Sequence, residues 1–342
     1  SLNNLMALKA GSIRFNTDSY QMEIWDGNQW TGIVSTTPEF LTGGTRGIAA
    51  RGRTPSDTDT IQFFNIDSTG SATDFGNSTY SGDAARGQCA SRTRGIIGMA
   101  EDDDTMEFIT IATTGNATTF GENTIGGNGA YASSSTRGVS FGGERPSTKV
   151  NVISMITIAS TGNATDFGDV SSGAIHGSGA VSSPPRGVFA VGRVTPANSD
   201  TNHIEFVTIS TQGNSADFGD RRYASYAPAG AGNATRGIFF AAGPSGSNTD
   251  TIDFVTISTL GNAVDFGNLN RTATTFSNSG FAMSSPVRAV YAGGYSGSSP
   301  VGTVVNQMEY VQIASTSDSI DFGDLAAVQK DGASISNGHG GL

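Results

Sequence analysis

The triplet Asp-Phe-Gly occurs five times, starting at Asp74, Asp166, Asp217, Asp265 and Asp321, and a sixth copy reads Thr119-Phe120-Gly121. An Asp in this setting can hold the Mg²⁺ of a bound nucleotide. That chemistry also needs a His-Arg-Asp loop, a Gly-rich phosphate loop and a paired Lys, which do not accompany it here. The run Glu101-Asp102-Asp103-Asp104 offers hard oxygen ligands but lacks the spaced acids and the Gly of a Ca²⁺ loop. His176, His203 and His339 have no metal-ligand spacing, and Cys89 is the lone cysteine. The 30 acidic residues allow many carboxylate pairs for glycoside cleavage, and no pair stands out. The expectation is a protein without catalytic residues, metal or cofactor, and not an enzyme.

A triplet that recurs five times marks a structural unit instead. The Phe-Gly pairs are spaced by 45, 47, 51, 48 and 56 residues. Upstream of each lies Arg-Gly and a short apolar run, starting at Arg46, Arg94, Arg137, Arg186 and Arg236, with Arg288-Ala289 as the sixth. Six units therefore run from about residue 45 to the C-terminus. Each holds a strand after Arg-Gly and then a six-residue strand: Ile61 to Ile66, Met106 to Ile111, Ile153 to Ile158, Ile204 to Ile209, Ile252 to Ile257 and Met308 to Ile313. β-branched and aromatic residues dominate these strands, with an acidic or polar residue usually second.

A Gly-centred turn follows in five copies, and a short strand then delivers the Phe, always nine residues after the final Ile. A fixed length indicates a hairpin whose geometry the turn sets. A fourth strand precedes the next Arg-Gly, as in Gly129 to Ser135 and Ser279 to Ser284. Four strands per unit of this length predict an all-β fold, a six-bladed β-propeller over residues 35–342. An open β-solenoid is the alternative. Phe would fill the space between blades, and the Gly after it would permit a turn. Alignment predicts that Ala333 to Asn337 supplies the innermost strand of the first blade, with Thr37 to Gly44 as the rival segment.

Composition bounds the rest. Gly is abundant (47 of 342 residues), and no Leu occurs between Leu41 and Leu260, which argues against a helical protein. A net charge of −11 repels phosphate backbones, so nucleic acid is not an expected partner. No apolar run approaches the ~18 residues of a membrane span.

With strands lettered a to d outward, the c–d hairpin is constant. From Arg-Gly to the c strand the separations are 14, 11, 15, 17, 15 and 19, and from the Phe to the next Arg they are 19, 17, 19, 18 and 22. Both variable connections emerge on one face in a radial meander, where recognition loops belong. The long stretches Gly267 to Pro286 and Tyr295 to Gln307 are expected to be neighbours there. Arg221, Arg222, Tyr223, Tyr226, Arg271, Phe276 and Tyr295 are the candidate ligand-binding residues, since Arg and aromatic side chains suit sugar stacking and protein contacts. Packing of the loops against each other is the competing reading.

Residues 1–34 carry both Trp. Alternation in Ser12 to Asn16 and Gln21 to Trp25 predicts a β-hairpin, with Asp26-Gly27 as a second turn. So short a segment cannot bury a core alone. Ile13, Phe15, Ile24, Trp25 and Trp30 are therefore expected to serve attachment or oligomerisation, helped by Leu2, Leu5, Met6 and Leu8.

The strand ending in Gly142-Gly143 or Gly293-Gly294, followed by a variable loop, a strand and a hairpin ending in an aromatic, resembles the kelch propeller repeat, with Phe in place of the kelch Trp. The segments Ile204-Glu-Phe-Val-Thr-Ile209 and Gly162-Asn-Ala-Thr-Asp-Phe-Gly168 are similar to repeats of tailed-phage virion proteins, marine and cyanobacterial phages among them. The N-terminal Gly11-Ser-Ile-Arg-Phe-Asn16 and Gly27-Asn-Gln-Trp30 resemble a module of phage fibre and appendage proteins. The resemblance implies a structural virion protein (tail fibre, spike or neck/head appendage), assembled in the host cytoplasm. It also implies contacts to other virion proteins through the N-terminus, a homo-oligomer such as the trimer of fibres, and loops that bind a host surface glycan or protein. A purely structural collar, decoration or adaptor is the alternative, and a glycan depolymerase a third.

Overall fold

The computed structural model describes residues 9–16, 21–32, 44–83, 86–98, 104–123, 129–145, 148–241, 250–270, 279–296 and 303–342. The chain forms two compact units, Ser1–Thr42 and Gly43–Leu342, and the described residues contain strands and no α-helix.

In the first unit, Ile13–Asn16, Gln21–Trp25 and Trp30–Gly32 make an antiparallel sheet in sequence order. The Asp26 carboxylate closes its second turn by accepting the N–H groups of Asn28 (2.7 Å) and Gln29 (2.8 Å), the Asx device that suits Asp at this place. The expected hairpin is thus the larger part of a three-stranded sheet.

The second unit has a β-propeller-like fold in which each repeat makes one antiparallel sheet in a–b–c–d order. The fourth sheet shows the pattern: Gly179–Ser182, Arg186–Ala190, His203–Thr208 and Ala216–Asp220. The third, fifth and sixth begin with Ala130–Ser133, Ala229–Gly232 and Phe281–Ser284. In the second, the inner strand is reduced to a bridge from Ala90 to Gly95. The first sheet takes its inner strand from the far end of the chain: Ala333–Ser336 pairs with Arg46–Thr54, Ala333 opposite Ala50 and Ser336 opposite Gly47. Asn337 completes that turn, accepting Gly44 N–H at its carbonyl (3.1 Å) and Arg46 N–H at Oδ1 (3.0 Å). The C-terminal alternative for ring closure is therefore the one adopted.

Successive sheets, hereafter blades, are joined by the same contacts each time. The N–H groups of Gly115, Gly162, Gly213 and Gly261, at the c–d turn, donate to Phe75, Phe120, Phe167 and Phe218 of the preceding blade at 2.8–2.9 Å. Between blades five and six Ser319 N–H reaches Asn268 O at 2.9 Å, and Gly70 N–H donates to Phe322 O at 2.8 Å, which closes the cycle from blade six to blade one. The Asn after the turn adds a side-chain acceptor: Asn116, Asn163, Asn214 and Asn262 each take a backbone N–H of the preceding outer strand at 3.0 Å. The outer edge of each sheet is thereby occupied, which removes a site for edge-to-edge aggregation.

This close approach explains the Gly of Phe-Gly, and differently from the sequence expectation. It lies within the d strand, just after a bulge at the Phe, and not in a turn. A Cβ on Gly168 would come within 2.4 Å of Gly213 O, and one on Gly219 within 2.5 Å of Gly261 O. Only the bare backbone lets one blade's outer strand touch the next blade's turn. The Phe side chains are buried between blades as expected, Phe167 with Val191 and Val207 of the next blade, and Phe218 with Val255 and Ile257.

The Arg of Arg-Gly has a physical role that the sequence did not disclose. Each guanidinium donates from Nη1 to the carbonyl of the last Ile of the next blade's c strand. The pairs are Arg46 with Ile111 (2.6 Å), Arg94 with Ile158 (3.0 Å), Arg137 with Ile209 (2.8 Å), Arg186 with Ile257 (2.8 Å), Arg236 with Ile313 (2.8 Å) and Arg288 with Ile66 (3.5 Å). In five blades it also lies 4.3–4.6 Å over the aromatic ring of its own c strand, Phe63, Phe108, Phe206, Phe254 or Tyr310. Both charge-assisted hydrogen bonding and cation–π attraction favour Arg at this place.

Candidate functional site

The face carrying the b–c and d–a connections is built unevenly. In blades one and three the b and c strands run on as long hairpins, Arg46–Thr54 with Ser56–Asn65 and Arg137–Arg145 with Thr148–Thr157. At blade three the sheet is extended by Ile175–His176, Arg193–Val194 and Ser199–Asp200. The register puts His176 opposite Arg193 and Arg193 opposite Asp200. Arg193 Nε lies 2.6 Å from Asp200 Oδ1, Lys149 Nζ lies 3.6 Å from Glu144, and His176 Nε2 lies 3.9 Å from the same carboxylate. A charged row thus crosses this rim, with Tyr226 against it: its ring is 5.5 Å from that of His176 and 4.5 Å below the Arg193 guanidinium.

Tyr226 arrives on the crossover that leaves blade four at Arg221, and three other candidates share that crossover. Arg221 is buried (2% exposed) and so does not form part of the accessible surface. Its Nη2 donates to the carbonyls of Tyr223 (3.1 Å) and Ser225 (3.3 Å) and to the Ser225 hydroxyl, which shapes the loop. Burial lowers its pKa to about 10, opposed by the charges of Asp253 and Asp200, so it is still charged at neutral pH. Arg222 reaches solvent and pairs with Asp253 (3.4 Å) and with Asp265. Burial raises the Asp253 carboxyl, while Arg221 and Arg222 pull it down. Tyr223 is exposed beside Arg222, whose guanidinium is 5.4 Å from its ring.

Tyr295 stands on blade six, in a two-residue strand paired with Thr303–Val304, and is half-buried under the Lys330 ammonium at 4.6 Å. Arg271 and Phe276 lie outside the described residues, as do residues 271–278 and 297–302 of the two stretches expected to adjoin, 267–286 and 295–307, and residues 101–103. The structure therefore brings Arg222, Tyr223 and Tyr226 together on one crossover, beside Arg193 and His176, while Tyr295 belongs to a separate position.

Sequence reasoning missed the function of the polar residue that is second in each c strand. Gln62, Glu107, Ser154, Glu205, Asp253 and Glu309 are all buried at the loop-face end. Glu205 accepts the N–H groups of Ser171 (3.2 Å) and Ser172 (2.9 Å) and the Ser172 and Ser215 hydroxyls. Glu107 accepts Thr79 N–H (2.8 Å) and the Ser78 hydroxyl, and lies 3.7 Å from Arg51. Gln62 accepts Ala327 N–H at 3.2 Å. Each of these three anchors the crossover arriving from the preceding blade. Their lone pairs are spent on positioning backbone.

The attachment candidates are placed by the register of the small sheet. Ile13 faces Ile24 and Phe15 faces Met22, giving an apolar row in which Ile13 is 58% and Phe15 54% exposed within a described unit of two dozen residues or fewer. Arg14 pairs with Glu23 (2.7 Å) and lies 4.2 Å over Trp30, and Trp25 meets Trp30 edge-on at 5.5 Å. Trp25 and Trp30 thus pack on each other, and Ile13 and Phe15 are the residues left open.

Among the described residues, no three His, Cys, Asp or Glu side chains are grouped to hold a metal ion, and no helix is long and apolar enough to cross a membrane. No family model matches the chain. No curated protein matches it either. Among solved structures it is similar to that of YjhT, a bacterial protein, with a TM-score of 0.59 and 11% identity over 74% of this chain and 87% of that one. At that identity the likeness concerns the fold alone, and the fold common to both is β-propeller-like.

Proposed function

We propose that the chain is a non-catalytic binding head of a tailed-phage appendage, whose loop face engages a host surface component, a glycan first of all. The observation that carries this reading is the unequal construction of the two faces. The a–b turns repeat one hydrogen-bonding scheme, whereas the length differences and added strands fall on the opposite face, where Arg222 and Tyr223 meet solvent. The virion setting rests on the repeat and N-terminal resemblances. The exposed Ile13 and Phe15 row supports a segment that docks on other virion proteins or on further copies in a homo-oligomer. Several copies per particle would convert weak contacts into avidity.

Adsorption of the purified chain to susceptible cells, and its competition with infection, tests the proposal. Binding that is lost in Tyr223→Ala with Tyr226→Ala, or on deletion of residues 295–307, supports it. Release of reducing sugar by the purified chain would instead support a depolymerase, and unchanged adsorption by all these variants would refute the loop face as the site.

A further inference from the structure

Past the ring-closing strand Ala333–Ser336, residues 338–342 lie against the a–b ends of the inner strands. A Cβ on Gly340 would fall 2.2 Å from Ser182 O, and one on Gly341 1.7 Å from Ser133 O. His339 sits between these glycines, 2% exposed, with its ring bonded to three blades. Nε2 is 3.0 Å from Ala90 O and 3.3 Å from Ser133 Oγ, while Nδ1 is 3.4 Å from Ser182 Oγ and receives Gly341 N–H at 3.1 Å.

These partners dictate one tautomer. A backbone N–H can only donate, so Nδ1 carries the lone pair; a carbonyl can only accept, so Nε2 carries the hydrogen. A proton added at Nδ1 would set two donors against each other, at the Gly341 amide. The groups facing the ring offer no compensation: Ser133, Ser182 and the Ala90 carbonyl are neutral, and Arg92, in the turn of the second repeat, is the charged group that acts on it, with the wrong sign. Among the described residues no carboxylate is one of the groups that act on the ring.

We infer that residues 338–342 are a pH-operated latch on the axial end of the ring, which protonation of His339 releases from Ala90, Ser133 and Ser182. Release bares the ends of the inner strands and unpins the neighbouring strand Ala333–Ser336, so the latch couples acidity to ring closure. Consistently, burial pulls the imidazole pKa down to about 4, against a contribution from the Ala90 carbonyl that raises it. The folded pKa lies below the unfolded value, so the unfolded tail binds more protons, and the latch is fully held above the unfolded pKa and weakens as pH falls towards 4.

Amide exchange of the full chain, corrected for the intrinsic pH dependence, tests this at pH 6.5 and 4.5. Between these two pH values the opening of residues 338–342 should rise by about 40-fold, while the c strands change little. In His339→Gln, which cannot titrate, the pH-dependent part should vanish. A tail equally protected at both pH values, or an equal fall in His339→Gln, overturns the latch. Should that variant fold poorly, the NMR titration of His339 in the unmodified chain decides. Protonation in step with tail exchange supports the latch, and a ring that titrates while the tail stays protected overturns it.

Discussion

If the repeated Arg works as a clamp between blades, removing one should cost more where it also stacks on an aromatic ring. Blades three and four supply the comparison. Arg186 donates to Ile257 O at 2.8 Å and lies 4.6 Å over Phe206, whereas Arg137 donates to Ile209 O at the same distance with Met155 standing where Phe206 stands. A hydrogen bond from a charged donor contributes about 1.5–3 kcal/mol, and cation–π contact adds about 0.5–1 kcal/mol near solvent. Since both guanidiniums are half-buried, the lower part of these ranges applies, and Arg186→Ala should cost about 2–3 kcal/mol. Arg137 also reaches Ser210 O at 3.1 Å, so single variants do not isolate the ring term. Double-mutant cycles in urea do. The Arg186–Phe206 cycle, with Phe206→Leu, should give a coupling of about 0.5–1 kcal/mol, and the Arg137–Met155 cycle close to none. Met155→Phe should then create the coupling in blade three. Equal couplings in the two cycles, or a loss below about 0.5 kcal/mol in Arg186→Ala, would refute the clamp.

Other outcomes follow from the same geometry. Gly168→Ala should destabilise by ~2 kcal/mol or more through left-handed strain and the blocked approach to Gly213 O. Gly162→Ala, with nothing near the added methyl, pays strain alone and should cost less, as denaturation midpoints would record. Glu205→Ala should cost about 2–3 kcal/mol by orphaning the Ser172 amide, with faster exchange of that amide, whereas Ser171 N–H keeps its bond to Ser215 Oγ (2.9 Å) and changes less. Global stability should decline by about 2.5 kcal/mol between pH 6.5 and 4 through His339, because its folded pKa is the lower one; His339→Gln should flatten that part of the profile.

The periodic parts of this molecule were legible because each repeat faces the same packing problem. The nine residues from Ile to Phe imposed the c–d hairpin, and the alignment of Ala333 with Ala282 located the ring-closing strand. The candidate site was less legible. Arg221 reads as a loop cation, yet it aligns with Val170, Leu269 and Leu325, all buried, and that alignment was the signal for an interior position. The acids of the c strands stood in the pattern, but their partners come from the preceding blade, a relation that only the closed ring reveals. His339 has no sequence neighbours of chemical interest; its surroundings are Ala90, Ser133 and Ser182, three blades assembled by folding.

The central claim is that a repeat-built ring presents one variable face to a host surface from a virion appendage. Gold labelling of the chain on intact particles, followed by low-resolution reconstruction, tests it most directly. The account predicts label at a host-contacting tip, with the face of the b–c and d–a connections directed away from the particle. Label confined to the collar or capsid surface, or particles that carry none of the chain, would contradict it.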